Sequence, residues 1–246
     1  MSDARRLLDF GWLVAGGLAL WALVAWMAGP EALSTPQQTL ARVGDYLATS
    51  SFWRHARATG VAFGWACLIS LVGGALIGAI IGMNRLATEV AEPILGTLYS
   101  IPKITLYPII LLIFGLSLSA KIAFGVLHGI FPVALLTIGA IRNTKQVYLK
   151  TARVLGLSRA ETARRVLLPA ILPELVTGLR IGFSSALLGT LVAELFASEE
   201  GLGFMLIRAM EAHKVVDIMA LAFLLFAAAT AVGGILLAVE RRVHGR

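Results

Sequence analysis

Residues 58–83 run for 26 positions without one acidic or basic side chain. In a bilayer, backbone N–H and C=O groups can pair only with each other, so a run of this length is a helix. About 20 residues suffice to cross the hydrocarbon. The run is not isolated. Residues 10–28, 93–115, 122–141, 175–197 and 218–239 are of the same kind, interrupted by no charge except Lys103, Arg180 and Glu194. The expected fold class is therefore an all-α integral membrane protein with about six transmembrane helices. A closed barrel would show short alternating strands, and none is present. Composition agrees: 14% of residues are charged, against about 25% in soluble domains.

The charge map sets the orientation. The formal net charge is +7, which in a membrane chain reads as basic residues gathered on the cytoplasmic side rather than as nucleic-acid binding. With a cytoplasmic N-terminus, thirteen of the 21 basic residues fall on inside segments, seven of them between Arg142 and Arg165. Six fall outside, and Lys103 and Arg180 lie within spans. Six spans return the C-terminus to the cytoplasm. The first run reads as a retained helix: it has the length of a span, and Ala28-Gly29-Pro30 is a poor cleavage site. Three regions result, namely a first span with an outer loop (1–57), a core (58–240) containing a long cytoplasmic loop (142–174), and a short tail (241–246). In the run 93–115, Pro102 and Pro108 predict a break into two short helices.

The loop 142–174 is patterned. Val147, Tyr148, Thr151, Val154 and Leu155 share one face of a helix. Gly156 supplies a left-handed stop, and Ser158-Arg159-Ala160-Glu161 is a capping box. A second helix follows from about Arg159 to Leu167, with Pro169 and Pro173 expected to end it before the next span. Two short helices folded over a glycine thus lie at the membrane face. Taken on its own, such an elbow is a lipid-anchoring basic loop, a helix-turn-helix, or a docking lever for a motor protein.

Particular residues separate these readings. Gly156, Leu157-Ser158 and, after a gap, Leu168-Pro169 resemble the EAA signature of bacterial ABC importer permeases. Ser100-Ile101-Pro102-Lys103, Phe131-Pro132-Val133, Gly178-Leu179-Arg180-Ile181, Ala193-Glu194 and Gly201-Leu202-Gly203 resemble the nitrate/sulfonate/taurine branch of that family. The likeness covers about residues 55–240. It implies a type I importer permease with the elbow as its coupling helix, in which Lys150, Thr151, Ala152, Val154, Leu155, Gly156, Leu157, Ser158, Glu161 and Pro169 meet a separate ATPase. The signature's Glu-Ala-Ala falls on Lys150-Thr151-Ala152, so its acid is replaced by a lysine. The resemblance further implies two ATPase subunits that carry the ATP and Mg²⁺, a second permease subunit forming a homodimer, an extracytoplasmic solute-binding protein, and the bacterial inner membrane. The chain has no G-x-x-x-x-G-K-[ST] run, so the phosphate-binding loop belongs to another chain. The runner-up is a secondary transporter working alone, for which internal repeats are the usual signature and are absent here. No polar cluster suggests a membrane enzyme, and the histidines lack metal-ligand spacing.

Charge inside a span costs about 2.5–3.5 kcal/mol on insertion scales. Lys103, next to Ser100 and Pro102, lines the solute pathway and favours anions, or else it caps the carbonyls of the broken helix. Arg180 reads as snorkelling. Glu194 nears the outer face, where a gate would stand. Ser184, Ser185 and Thr190 line the pathway or bond their own backbone. The glycines of 58–83 read as close helix packing, and His128 as a packed, hydrogen-bonded residue. The topology makes a direct prediction: a cysteine at position 150 reacts with an impermeant maleimide only after the cells are opened, whereas one at position 57 reacts in intact spheroplasts. The reverse pattern would overturn the orientation.

Overall fold

The computed structural model describes residues 3–244. All its regular elements are helical among the described residues: α1 (Asp3–Ala28), α2 (Pro36–Ala48), α3 (Ser50–Gly82), α4 (Arg85–Ser100), α5 (Tyr107–Phe114), α6 (Leu118–Arg142), α7 (Gln146–Val154), α8 (Arg159–Thr162), α9 (Leu168–Phe196), α10 (Leu202–Glu211) and α11 (Val215–His244). Among the described residues, five helices are long and apolar enough to cross a membrane, and Arg85–Ser100 with Lys103–Phe114 forms a pair bent by 85°, which makes six spans if the pair crosses as one. The end of the bundle that carries α7 is called the elbow end below, and the opposite one the far end.

The densest packing joins α3, α6 and α9. Lipid tails are as apolar as leucine, so helices associate through close fit rather than water exclusion, and small residues permit that fit. Gly74 and Gly78 of α3 sit where an added Cβ would lie 2.7 Å from Val133 Cβ and 2.6 Å from the carbonyl oxygen of Ala134, both in α6. Further along α6, Gly125 and Gly129 meet Ala66 and Ser70 of α3 and Ala186 and Thr190 of α9. Gly182 and Gly189 of α9 complete the contact against Val133 and His128. Phe124, Val133 and Ile138 of α6 are consequently fully buried. The expectation of close packing holds for Gly73, Gly74, Gly78 and Gly82. It fails for Gly60 and Gly64, which face open space with nothing within 4 Å.

The N-terminal helix stands apart. Trp12 and Trp26 of α1 are 77% and 81% exposed near the two ends of the apolar run 10–28, the placement expected of aromatic anchors at membrane interfaces. Its attachment runs through Trp21, whose Nε1 donates to the Ser34 carbonyl at 3.0 Å and whose ring stacks on Phe223 of α11. Helix α2 begins with a capping box on Thr35 and Gln38 and a proline at its start. It is tied to α11 by the Arg42–Asp217 ion pair.

Two expectations about prolines change. In the run 93–115 the helix breaks at Ile101-Pro102, as the sequence predicts, but Pro108 opens α5 instead of breaking anything. A proline costs nothing in the first turn, where its missing N–H would be unpaired anyway. In the elbow, Pro169 and Pro173 do not end the second helix. The helical path is continuous from Ala160 to Phe196. Residues Ala163–Leu167 form a π turn, and the Leu168 N–H donates to the Ala163 carbonyl. Widening the turn there gives room for the Pro169 ring where it would otherwise crowd a carbonyl one turn earlier.

Substitution at the helix crossings separates packed from free glycines. Gly78→Leu is expected to lower the stability of the detergent-solubilised protein by at least about 1–3 kcal/mol through overpacking. Gly60→Ala is expected to be neutral or better. Equal melting temperatures for the two variants would show that the α3–α6 crossing is not close-packed.

Candidate functional site

Helix α7 ends in a two-bond C-terminal motif. The Leu157 N–H donates to the Ala152 carbonyl at 3.0 Å, and the Gly156 N–H to the Arg153 carbonyl at 3.1 Å. Gly156 has φ +68° and no atom near its missing Cβ. Backbone conformation alone therefore calls for glycine there. The next helix starts with the expected capping box: the Ser158 N–H donates to Glu161 Oε2 at 3.1 Å, and the Glu161 N–H donates to Ser158 Oγ at 3.3 Å. The backbone and hydroxyl of Ser158 hold the Glu161 carboxyl below its ordinary value, and Arg165 at 3.7 Å adds to the effect.

This geometry turns the apolar face of α7 outward. Val147, Tyr148, Val154 and Leu155 are exposed, Val154 to 87%. Ala152 is 1% exposed and seats α7 on its own chain instead of facing a partner. Lys150, Thr151, Arg153 and Arg164 are also exposed, so the free surface mixes apolar and basic groups. An open cavity of about 1020 Å³ separates the elbow from the ends of α3 and α4, lined by Arg85, Glu89, Arg142 and Arg153 among others. Arg142 closes the end of α6 against α4 through Glu92 at 2.6 Å.

The other candidate residues occupy a different place. Lys103 is buried, its Nζ donating to the Tyr99 carbonyl at 2.7 Å and lying 4.7 Å from the Tyr99 ring centre. It thus occupies a carbonyl left free by the break in the α4–α5 span. Ser100 and Pro102 flank that break and are exposed, and Ser100 Oγ donates to the Gly96 carbonyl at 2.9 Å. Ser184 is exposed and Ser185 half-buried, and the Ser184 and Thr190 hydroxyls both donate to carbonyls one turn earlier. His128 donates through Nδ1 to the Phe124 carbonyl at 2.9 Å. Arg180 has an ionic partner: its Nε lies 3.1 Å from Glu240 Oε2 of α11, and Thr177 Oγ1 donates to Glu240 Oε1 at 2.5 Å.

Glu194 lies at the far end, 1% exposed. Thr59 Oγ1 of α3 is 2.8 and 2.9 Å from its two carboxylate oxygens. The Gly203 N–H donates to Oε2 at 3.0 Å. Gly201 is the cap residue before α10, and Gly203 is the second residue of that helix. Lys121 of α6 donates to the Glu200 carbonyl at 2.7 Å, and the Tyr107 hydroxyl of α5 to the Ala193 carbonyl at 2.8 Å.

With this arrangement in hand, comparison with known proteins is decisive. Residues 70–245 match the family described as binding-protein-dependent transport system inner membrane component. The chain belongs to that family. A probable ABC transporter permease of Haemophilus influenzae is 31% identical over 208 residues, covering 85% of this chain and 84% of its own. The formylaminopyrimidine transport permease ThiX of Halalkalibacterium halodurans is 32% identical over 76% of this chain and 75% of its own. The Escherichia coli taurine transport permease TauC is 30% identical, covering 76% of this chain and 71% of its own. In fold, the chain resembles a chain of the MetNI methionine ABC transporter, with a TM-score of 0.55 and 19% identity over 73% of this chain and 93% of that one. The protein is thus an ABC importer permease, a transport subunit and not an enzyme.

Several permease residues escape a reading by sequence alone. Thr59 and His55 lie one turn apart on α3, Thr59 just inside the uncharged run 58–83 and His55 just before it. The available signal was Glu194 itself, since a buried acid in an apolar run requires donors. Glu240 could likewise have been sought from Arg180. For the elbow, the lowered Glu161 carboxyl has a definite sign. Its contribution is fully present above the ordinary carboxylate pKa and is lost as pH falls through the lower folded value. Hydrogen exchange of the Ser158 and Glu161 amides, corrected for intrinsic rates, is expected to accelerate below about pH 4.5, and Glu161→Gln, which removes the titrating group, is expected to abolish that pH dependence. A protection profile flat with pH in the unsubstituted permease would rule the capping box out as a source of elbow stability.

Proposed function

We propose that two copies of this permease line one solute pathway across a bacterial inner membrane, with both termini cytoplasmic, and that an ATPase subunit docks on each elbow. ATP and Mg²⁺ belong to the ATPase. A solute-binding protein delivers cargo to the far end, and the cargo is a small anion or compact polar organic compound of the nitrate and sulfonate kind. The relatives named for taurine, aliphatic sulfonates and nitrate support that solute class.

The observation that carries the reading is the exposed apolar face of α7. Val147, Tyr148, Val154 and the cap residue Leu155 lie on a helix fastened at both ends to membrane spans, and each is left exposed by its own chain. Covering them recovers on the order of 5 kcal/mol of apolar burial before ordering costs. Lys150, Arg153 and Arg164 surround that face, and Glu161 is engaged with Ser158, so the complementary groove is acidic. Continuity of the helix from Ala160 to Phe196 supports transmission, because displacing the elbow displaces α9. ATP then shifts the pathway between two packings to the extent that the ATPase binds them differently.

Two variants test the docking surface. Val154→Asp with Leu155→Asp is expected to insert normally and to lose co-purification with the ATPase. Gly156→Val leaves the surface in place and adds roughly 1–2 kcal/mol of backbone strain. It is expected to lower uptake into proteoliposomes relative to ATP hydrolysis. Ion-driven uptake by this chain alone, needing neither ATPase nor binding protein, would instead establish a secondary transporter.

A further inference from the structure

The start of α10 is held by the rest of the bundle in an unusual way. The first amides of any helix lack intrahelical partners, and here three consecutive ones are received by side chains of other helices. The Gly201 N–H donates to His55 Nδ1 at 3.1 Å, the Leu202 N–H to Thr59 Oγ1 at 2.7 Å, and the Gly203 N–H to Glu194 Oε2 at 3.0 Å. The Thr59 hydroxyl in turn donates to Glu194, so a single side chain bridges α3, α9 and α10. Glycine is required at both contacts. A Cβ on Gly201 would overlap the Glu194 carboxylate, and one on Gly203 would lie 2.6 Å from Glu194 Cβ. Below this junction, Phe52, Ala209 and Leu221 bury the face of α10 against α3 and α11.

Helix α9 has its other end in the elbow. The helical path of 37 residues from Ala160 to Phe196 is about 55 Å long at 1.5 Å per residue. Glu194 lies two residues before its far end.

We propose that Glu194 and Thr59 fasten α10 to the lever, so that elbow, α9 and α10 move as one body and displacement at the ATPase surface arrives at the far face as displacement of α10. Glu194 is a positioning residue in this scheme, acting through α10. The scheme rests on the importer reading above and adds a reciprocal consequence: a load on α10 from a docked binding protein is felt at the elbow. A lid hinging independently at residues 197–201 would have to strand the Glu194 carboxylate and three amides at once in a buried site, which is costly.

The experiment uses the whole complex of permease, ATPase and binding protein in lipid nanodiscs. Spin labels are placed at Leu172→Cys on α9 and Glu211→Cys on α10 in a Cys67→Ser background, with labelled subunits diluted by unlabelled ones. The expected result is one narrow intrasubunit distance, the same without nucleotide and with ATP. Thr59→Val, nearly isosteric, removes the bridging hydroxyl. It is expected to broaden that distance and to reduce the stimulation of ATP hydrolysis by solute-loaded binding protein about tenfold, within the range usual for coupled sites. Thr59→Ser is expected to keep both within about twofold of the unsubstituted complex. A distance that changes with nucleotide in the unsubstituted complex overturns the proposal, whether or not Thr59→Val folds. So does full stimulation in a folded Thr59→Val complex. Absence of any stimulation in the unsubstituted complex would instead overturn the importer reading itself.

Discussion

Within hydrocarbon, backbone groups bond to one another, and side chains gain little from leaving lipid for protein. Everything in this permease follows from how its helices associate under that constraint. Helix α6 lies at the centre because its neighbours approach it through glycine and alanine. Gly74 and Gly78 come from one side and Gly182 and Gly189 from the other, with Gly125 and Gly129 answering from α6 itself. The crossings are close enough that even one methyl group is excluded. Such contacts leave little freedom for individual helices to shift.

Polar groups are then confined to places where each has a partner. Lys103 closes the broken α4–α5 span, Arg180 pairs with Glu240, and Glu194 receives α10. In water each of these would be worth little. Inside the bundle, loss of a partner leaves a charge unpaired in an apolar medium, so the three sites fix which helices move together. Two of them lie on α9, one near its middle and one at its far end, so α9 is tied to α11 at the first and to α3 and α10 at the second.

The elbow follows a different rule. It lies outside the spans, its helices are short, and its shape comes from local chemistry: a left-handed glycine, a two-bond C-terminus and a capping box within the ten residues from Ala152 to Glu161. Short helices of this kind are marginal alone. Their exposed apolar residues are therefore intelligible as half of an interface, and the π turn joins that interface to α9 without breaking the helix.

What could be read in the order of residues was whatever depends on near neighbours or on hydropathy. The spans, the break at Pro102, the elbow with Gly156 and its Ser158–Glu161 box, and the resemblance to importer permeases are all of this type. Positional rules for single residues misled at Pro169 and Pro173, since a wider helical turn absorbs the proline ring, and they gave no hint of Arg180's partner, which lies sixty residues away. The junction of Thr59, His55, Glu194 and the first amides of α10 was illegible for the same reason. It joins residues up to 148 positions apart, and only the packing of α3 against α9 brings them within hydrogen-bond reach. Sequence alone determined that the chain spans the membrane and bends beneath it. Tertiary structure alone decided which buried charge meets which donor, because a hydrogen bond depends on a distance of about 3 Å that no spacing along the chain specifies.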